Sequence, residues 1–304
     1  MIDRTLIEKY GKHAIENGLR LQPKSFASKL ALRDSLDQHF TRAWLDFVIE
    51  GQGDRKVLDE RTRFLVLAGQ FTMVRALEPL EDAIRAAIAA EVPPREVLET
   101  ILQCAIYGGN TVVDPALEVF VRVAEELGFL EALRKDQLPL DGHAASRHYE
   151  EEAKTWHPDD VADPRREKLM GKHDWQGIST GLRLRPKHHL NILDYIDTLD
   201  EDFADIWVNF CYRAMYSRWI VDDKTRLLCM VGDCMAIGET TNARAHMRGA
   251  MRAGASAREV MEVILQSSQN FGMPTMFRGL AIFVKIMAEE GRLDEIGNPG
   301  GAVE

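Results

Sequence analysis

The chain has 304 residues, 45% hydrophobic and 28% charged, a balance that suits a folded globular protein of one large domain or two ordinary ones. Its formal net charge of −10 argues against a nonspecific nucleic-acid binder, which needs a positive surface to displace counterions. The start MIDRTLIEKYGKH lacks the apolar stretch of a secretory signal, no apolar run approaches the ~20 residues of a membrane helix, and Cys104, Cys211, Cys229 and Cys234 form neither a CxxC nor a zinc spacing. A cytoplasmic protein with reduced, mostly buried thiols and no membrane partner is expected.

From the N-terminus onward, apolar residues recur at threes and fours rather than alternating, which predicts helices throughout. GKH at 11–13 and GLRLQPK at 18–24 lead to a long helix with Trp44 and Phe47, then to Thr62-Arg63. Pro93-Pro94 opens the helix that reads REVLETILQ at 95–103, Pro being tolerated in a first turn. Val97, Ile101 and Ala105 give that helix a buried stripe. Residues 138–170 are charged and carry three prolines with His143, His148 and His157. A solvated linker is the expectation there, with a metal site from the histidines as the alternative.

Beyond this stretch the same features return. GKH recurs at 171–173 with a three-residue slip, and GLRLRPK stands at 181–187. Trp207, Phe210, Thr225-Arg226 and REVMEVILQ at 258–266 repeat the rest. From Gly18 to about Leu130 each residue has its counterpart 163 positions on, with no gap, as in an internal duplication. Ser256 and Glu259 form a capping box, Gly254 suits a left-handed stop for the preceding helix, and Val260, Ile264 and Ser268 repeat the stripe. The tail GNPGGAVE is expected to be mobile.

The stretches LDERTRFLVLAG…EVLETILQCAIYGG and DDKTRLLCMVGDCMAIGETTNARAHMRGAMRAGASAREVMEVILQSSQNFGMP resemble the carboxymuconolactone decarboxylase family of the AhpD-like superfamily, over residues 29–130 and 192–293. The resemblance implies an all-α fold of two tandem AhpD-like domains, 1–137 and 171–304, related by pseudo-twofold symmetry and joined by the linker 138–170. It also implies a homo-oligomer. Because the family forms rings of single-domain subunits, a trimer of tandem chains would imitate a six-domain ring.

The family's peroxidase branch carries CxxC followed four residues later by His. Here those positions are Glu239, Asn242 and His246, so thiol peroxidase chemistry is disfavoured. The decarboxylase branch keeps the His, which His246 matches in HMR, with a Glu four residues before it. Asn242 replaces that Glu and cannot exchange a proton. Ala76, Pro79 and Ala83 hold the three places in the first copy, so the second copy is expected to carry the chemistry.

On a helix Glu239, Asn242 and His246 share one face. The resemblance implies a decarboxylase acting without cofactor or metal on a small anionic lactone or unsaturated keto acid. His246 is the candidate general acid, and Glu239 would orient it or share its proton. Arg248 would hold a substrate carboxylate, and Gln266 and Asn270 would donate to the developing oxyanion. Tyr107 matches a family Tyr position. If the fused copies replace two neighbouring subunits, the pocket would combine both copies with Tyr107 facing the second copy's site; a plain polar contact between helices is the alternative for Tyr107, Gln266 and Asn270. The plain alternatives stay open. His246 also suits the edge of a core stripe formed by Ala243, Met247, Ala250 and Met251, Glu239 suits a helix start, and Arg244, Arg248 and Arg252 suit a solvated face. Arg63, Arg226, Trp44 and Trp207 read as structural. An isomerase or hydratase on a similar acid, or a non-catalytic scaffold, are the competing functions.

Overall fold

The computed structural model describes residues 4–138 and 163–297, and every regular element among them is helical. The first copy comprises α1 (Arg4–Tyr10), α2 (Lys12–Leu21), α3 (Phe26–Leu36) and α4 (Gln38–Trp44), which continues as a π-helical stretch, Leu45–Gln52. Then come α5 (Glu60–Met73), α6 (Leu77–Ala89), α7 (Pro94–Gln103), α8 (Ala105–Gly108), α9 (Asn110–Glu126) and α10 (Leu130–Lys135). The second copy comprises α11 (Arg165–Met170), α12 (Trp175–Leu184), α13 (Pro186–Leu199) and α14 (Glu201–Trp207), with its own π-helical stretch, Val208–Met215. It ends with α15 (Asp223–Ile237), α16 (Thr240–Arg252), α17 (Ala257–Phe271) and α18 (Met273–Glu289).

The repeat written in the sequence is also written in the element ends. The bounds of α2, α4, the π stretch, α6 and α9 recur 163 positions later in α12, α14, the second π stretch, α16 and α18. The caps explain why. Asp37 and Asp200 each accept the backbone N–H three residues on, as do Asp59 and Asp222. Each aspartate satisfies an amide that the first turn leaves unpaired. The Ser256–Glu259 capping box forms, and Gly254 takes the left-handed φ of +97° after α16. Other boundaries differ: α13 begins three residues earlier in register than α3, and α7 breaks at Cys104, so Ala105 is only half-buried, whereas α17 runs through the same register unbroken.

The two copies share one hydrophobic core. Phe64, Leu65 and Ala68 of α5 pack with Leu227, Leu228 and Val231 of α15 in a single buried cluster. Gly69 and Gly232 let these helices approach. A Cβ on Gly69 would lie 2.3 Å from Asp233 Oδ1, and one on Gly232 would lie 2.9 Å from Val66. Each copy keeps a smaller satellite core, α1–α4 around Phe26 and Leu30, and α11–α14 around Leu182 and Leu190.

Buried charges cross between the copies in both directions. Glu99 pairs with Arg226 at 2.8 Å and Arg218 at 3.0 Å, and Glu262 pairs with Arg55 at 2.7 Å. Arg55 and Arg218 are repeat counterparts, as are Glu99 and Glu262. The copies thus exchange a glutamate–arginine pair in each direction. Arg63 instead donates to the backbone carbonyls of Gln52 and Arg55.

The linker was expected to run to residue 170, but its last six residues form α11, whose Leu169 is fully buried in the second copy's satellite core. The apolar Leu169-Met170 pair ties this end down. His143, His148, His157 and most of the tail lie outside the described residues. Among the described residues no helix is long and apolar enough to cross a membrane, and no three His, Cys, Asp or Glu side chains gather as a metal site. All four cysteines are buried and unpaired.

Candidate active site at the boundary of the two copies

Glu239 caps α16, accepting the N–H groups of Thr241 at 3.1 Å and Asn242 at 2.5 Å. From that start Asn242 and His246 fall one turn apart on the same face. Ala243, Met247 and Ala250 anchor α16 in the core and draw His246 fully out of solvent. Its Nε2 meets the Tyr107 hydroxyl at 2.7 Å, the rings standing edge to face. Tyr107 comes from α8, the short helix made by the break at Cys104.

The centre of the cluster is Arg185. It lies at the end of α12, directly before Pro186, which turns the chain out of the helix at φ −149° and ψ 65°. Its Nη1 donates to Tyr107 Oη at 3.2 Å and lies 3.4 Å from both Asn242 Oδ1 and His246 Nε2. Its Nη2 donates to Tyr212 Oη at 2.6 Å. Nε is buried with no partner, and among the described residues no carboxylate pairs with the guanidinium. A buried cation among neutral groups is costly unless an anion joins it. His188, in the first turn of α13, donates from Nε2 to Asn242 Oδ1 at 2.9 Å. Asn242 therefore ties the second imidazole to the guanidinium.

Burial, followed by the charge of Arg185 and then His188, holds the His246 pKa well below the usual value, so the ring is neutral at pH 7. An arginine can only donate, so its neighbour Nε2 carries the lone pair and Nδ1 the proton. Burial likewise lowers the His188 pKa, against the hydrogen bond it donates to Asn242. Burial raises the Tyr107 pKa well above normal, so its phenol keeps its proton. The site thus holds one fixed cation, two neutral imidazoles and a phenol placed between the cation and an imidazole.

A groove of about 760 Å³ opens onto Arg185 and His188, walled by Lys187, Arg244, Arg248 and Arg252. The first copy supplies a comparison. Thr241, Arg244, Ala245 and Arg252 replace Glu78, Glu81, Asp82 and Ala89 at the same register. One helix face is acidic in the first copy and basic in the second, although the chain as a whole is strongly negative.

The model of the carboxymuconolactone decarboxylase family matches residues 201–285. An uncharacterised 15.0 kDa protein from the nqo9–nqo10 intergenic region of Paracoccus denitrificans is 33% identical over 97 residues, 31% of this chain and 69% of the relative. The chain belongs to the carboxymuconolactone decarboxylase family. A second relative, the 4-carboxymuconolactone decarboxylase of Acinetobacter baylyi, is 27% identical over 107 residues, 34% of this chain and 80% of that protein.

Against the site expected from this family's pattern, the structure brings together His246, Asn242 and Tyr107, the last across the copy boundary. It places the others in different surroundings. Glu239 makes no hydrogen bond to His246, because its carboxylate is taken up by the cap. Arg248 pairs with Glu289 and Glu290, and the first copy repeats this with Arg85 and Glu126, so its charge is already met. Gln266 donates to Glu262 in the buried cross-copy ion-pair cluster, and Asn270 lines a cavity of the first copy beside Pro79 and Ala83. The physical reason is the exchange that brings Tyr107 in: each copy's REV helix region reaches into the other copy's site. With its ring neutral and its lone pair toward Tyr107, His246 is set to accept a proton in the resting site.

Arg185, His188 and Tyr212 were missed. One signal was available: GLRLQPK and GLRLRPK differ at a single position, Gln22 against Arg185.

Proposed function

We propose that this family member is an acid/base enzyme that decarboxylates a small carboxylated lactone or unsaturated keto acid at the second copy's site. The observation that carries the proposal is the Arg185 guanidinium, buried among neutral donors and acceptors and, among the described residues, with no carboxylate partner. A substrate carboxylate fits there bidentately, and the basic groove draws such an anion in. The name of the Acinetobacter baylyi relative supports the same substrate class.

In this reading the scissile C–C bond breaks, carbon dioxide leaves, and the electron pair passes into the substrate's own conjugated carbonyl. Arg185 stabilises the resulting dienolate oxygen. Tyr107 gives its proton to carbon, and Arg185 at 3.2 Å steadies the phenolate left behind. Solvent from the groove returns the proton, with His188 at the groove wall to pass it on. His246, accepting from the phenol in the resting site, aims the hydroxyl and shares its proton.

The test is mass-spectrometric turnover of carboxylated lactones and unsaturated keto acids by the full chain, beside Arg185→Gln and His246→Ala. Loss of carbon dioxide, abolished by Arg185→Gln, is the expected result. A mass-neutral product would replace decarboxylation with isomerisation, and turnover surviving Arg185→Gln would reject the site.

A further inference from the structure

The first copy keeps a cavity where the second keeps its site. Gln22, Pro79, Ala83 and Asn270 occupy the places of Arg185, Asn242, His246 and Tyr107, and all four line a space of about 190 Å³. The cation lost at position 22 is not lost from the cavity. Arg33, whose counterpart in the second copy is Ile196, lies in the wall. Its guanidinium carbon sits 3.9 Å from the centre of the Trp44 ring, which fixes the side chain in place.

Arg33 Nη1 is shut off from solvent and has no acceptor, and Gln22 Oε1 is buried with no donor. Such groups cost free energy unless something in the cavity meets them. The other charged groups of the wall are already engaged. Asp82 accepts from Lys24 N–H at 2.7 Å, from Ser25 N–H at 3.0 Å and from the Ser25 hydroxyl. Lys29 pairs with Glu78 at 3.1 Å, and Arg63 is spent on backbone carbonyls. What remains open is a cation with a free N–H and a set of side-chain amides. That chemistry suits a carboxylate.

We propose that the first copy binds a compact carboxylate on Arg33, with the Gln22 amide rotated so that its NH2 rather than its unpartnered oxygen faces the ligand, as a ligand that is held and not turned over. Size restricts it. The cavity has room on the order of six waters at ~30 Å³ each, a short mono- or dicarboxylate. Chemistry excludes turnover, because alanine, proline and amides replace the imidazole, the phenol and their tether, and Asp82 is held by three donors. The two copies therefore divide their work: one reacts an anion and the other only recognises one. The inference is independent of the reaction proposed above, since it rests on a different cavity.

The experiment is calorimetric titration of the full chain with acetate, malonate and succinate, with Trp fluorescence as a second readout of the Arg33–Trp44 pair. Arg33→Met and Gln22→Leu are compared with Arg185→Gln, after thermal melts show each folded. Expected is a saturable site that weakens about tenfold or more in Arg33→Met, weakens in Gln22→Leu, and persists in Arg185→Gln. Saturable binding unchanged in Arg33→Met, binding lost only in Arg185→Gln, or no saturable binding of any of the three acids would each overturn the proposal.

Discussion

The Tyr107 hydroxyl and His246 Nε2 meet at 2.7 Å across the boundary between two copies of one repeat, 139 positions apart in the chain. Neither copy owns the pair. Tyr107→Phe keeps the ring and removes the proton, leaving His246 Nε2 with only the Arg185 contact at 3.4 Å. Turnover should fall at least a hundredfold, the usual scale for a lost acid/base group, and stability by about 1–3 kcal/mol for an unsatisfied buried acceptor. Denaturant melts beside the turnover assay separate the two effects. An active Tyr107→Phe would remove the phenol from the chemistry.

Arg185→Gln is a substitution the chain has already made in its first copy, at Gln22. Losing an isolated buried charge relieves desolvation, so the melting temperature should hold or rise while anion binding at this site disappears. A sharp loss of stability would show instead that the guanidinium is a structural strut for Tyr107 and Tyr212.

His189 predicts how stability responds to acid. It is buried between Trp207 and Tyr212 with neither ring nitrogen bonded, and burial lowers its pKa to about 3. Above pH ~6.5 both folded and unfolded chains hold it neutral and it contributes no pH dependence. Below ~6.5 the unfolded chain takes a proton that the folded chain refuses, so stability falls by about 1.4 kcal/mol per pH unit. The first copy has Phe26 here, stacked on Trp44 as His189 stacks on Trp207. His189→Phe should regain about 2 kcal/mol at pH 5 relative to pH 7. His246, also held neutral, leaves a residual slope. Equal acid sensitivity in variant and parent would count against this account.

Glu99, fully buried between Arg226 and Arg218, faces a different cost from Glu262, whose partner Arg55 is partly exposed. Glu99→Gln strands Arg226 in the core and should cost about 3–5 kcal/mol. Glu262→Gln should cost less, because the Arg55 left behind is partly exposed and water can solvate it. Urea midpoints of both variants decide the order.

Exposed apolar side chains recur at matching places on the two copies: Leu36, Phe40 and Phe47, then Leu199, Phe203 and Phe210. A surface repeated in this way suits ring closure between like chains. We propose a trimer of tandem chains, and sedimentation should show it giving way to monomer in Phe40→Glu with Phe203→Glu. A parent that sediments as a monomer would end the proposal.

Much of the fold was legible because its signals are local. The Ser256 capping box, the Pro93-Pro94 start and the Gly254 stop are short local patterns. His246 and Tyr107 were legible through the family pattern. Arg185 was not, because its role depends on which side chains surround it, and those come from α8, α13, α16 and the second π stretch. Glu239 misled for a related reason. Its spacing puts it on the right face, but at a helix start the unpaired amides compete for the carboxylate and win. The exchange of Gln266 and Asn270 into other surroundings follows from packing between copies, which periodicity within one copy does not record.

The shared core and the crossed glutamate–arginine pairs have a consequence for how such a chain can diverge. In a symmetric pair of identical subunits, a histidine replaced by alanine disappears from both sites together, and a gained arginine appears in both. Two copies in one polypeptide vary separately, so Ala83 can stand opposite His246 and Arg33 opposite Ile196 within a single molecule. Yet the interlocked core keeps either half from drifting out of register with the other. Joining the copies loosens the linkage between their sites while tightening the linkage between their scaffolds.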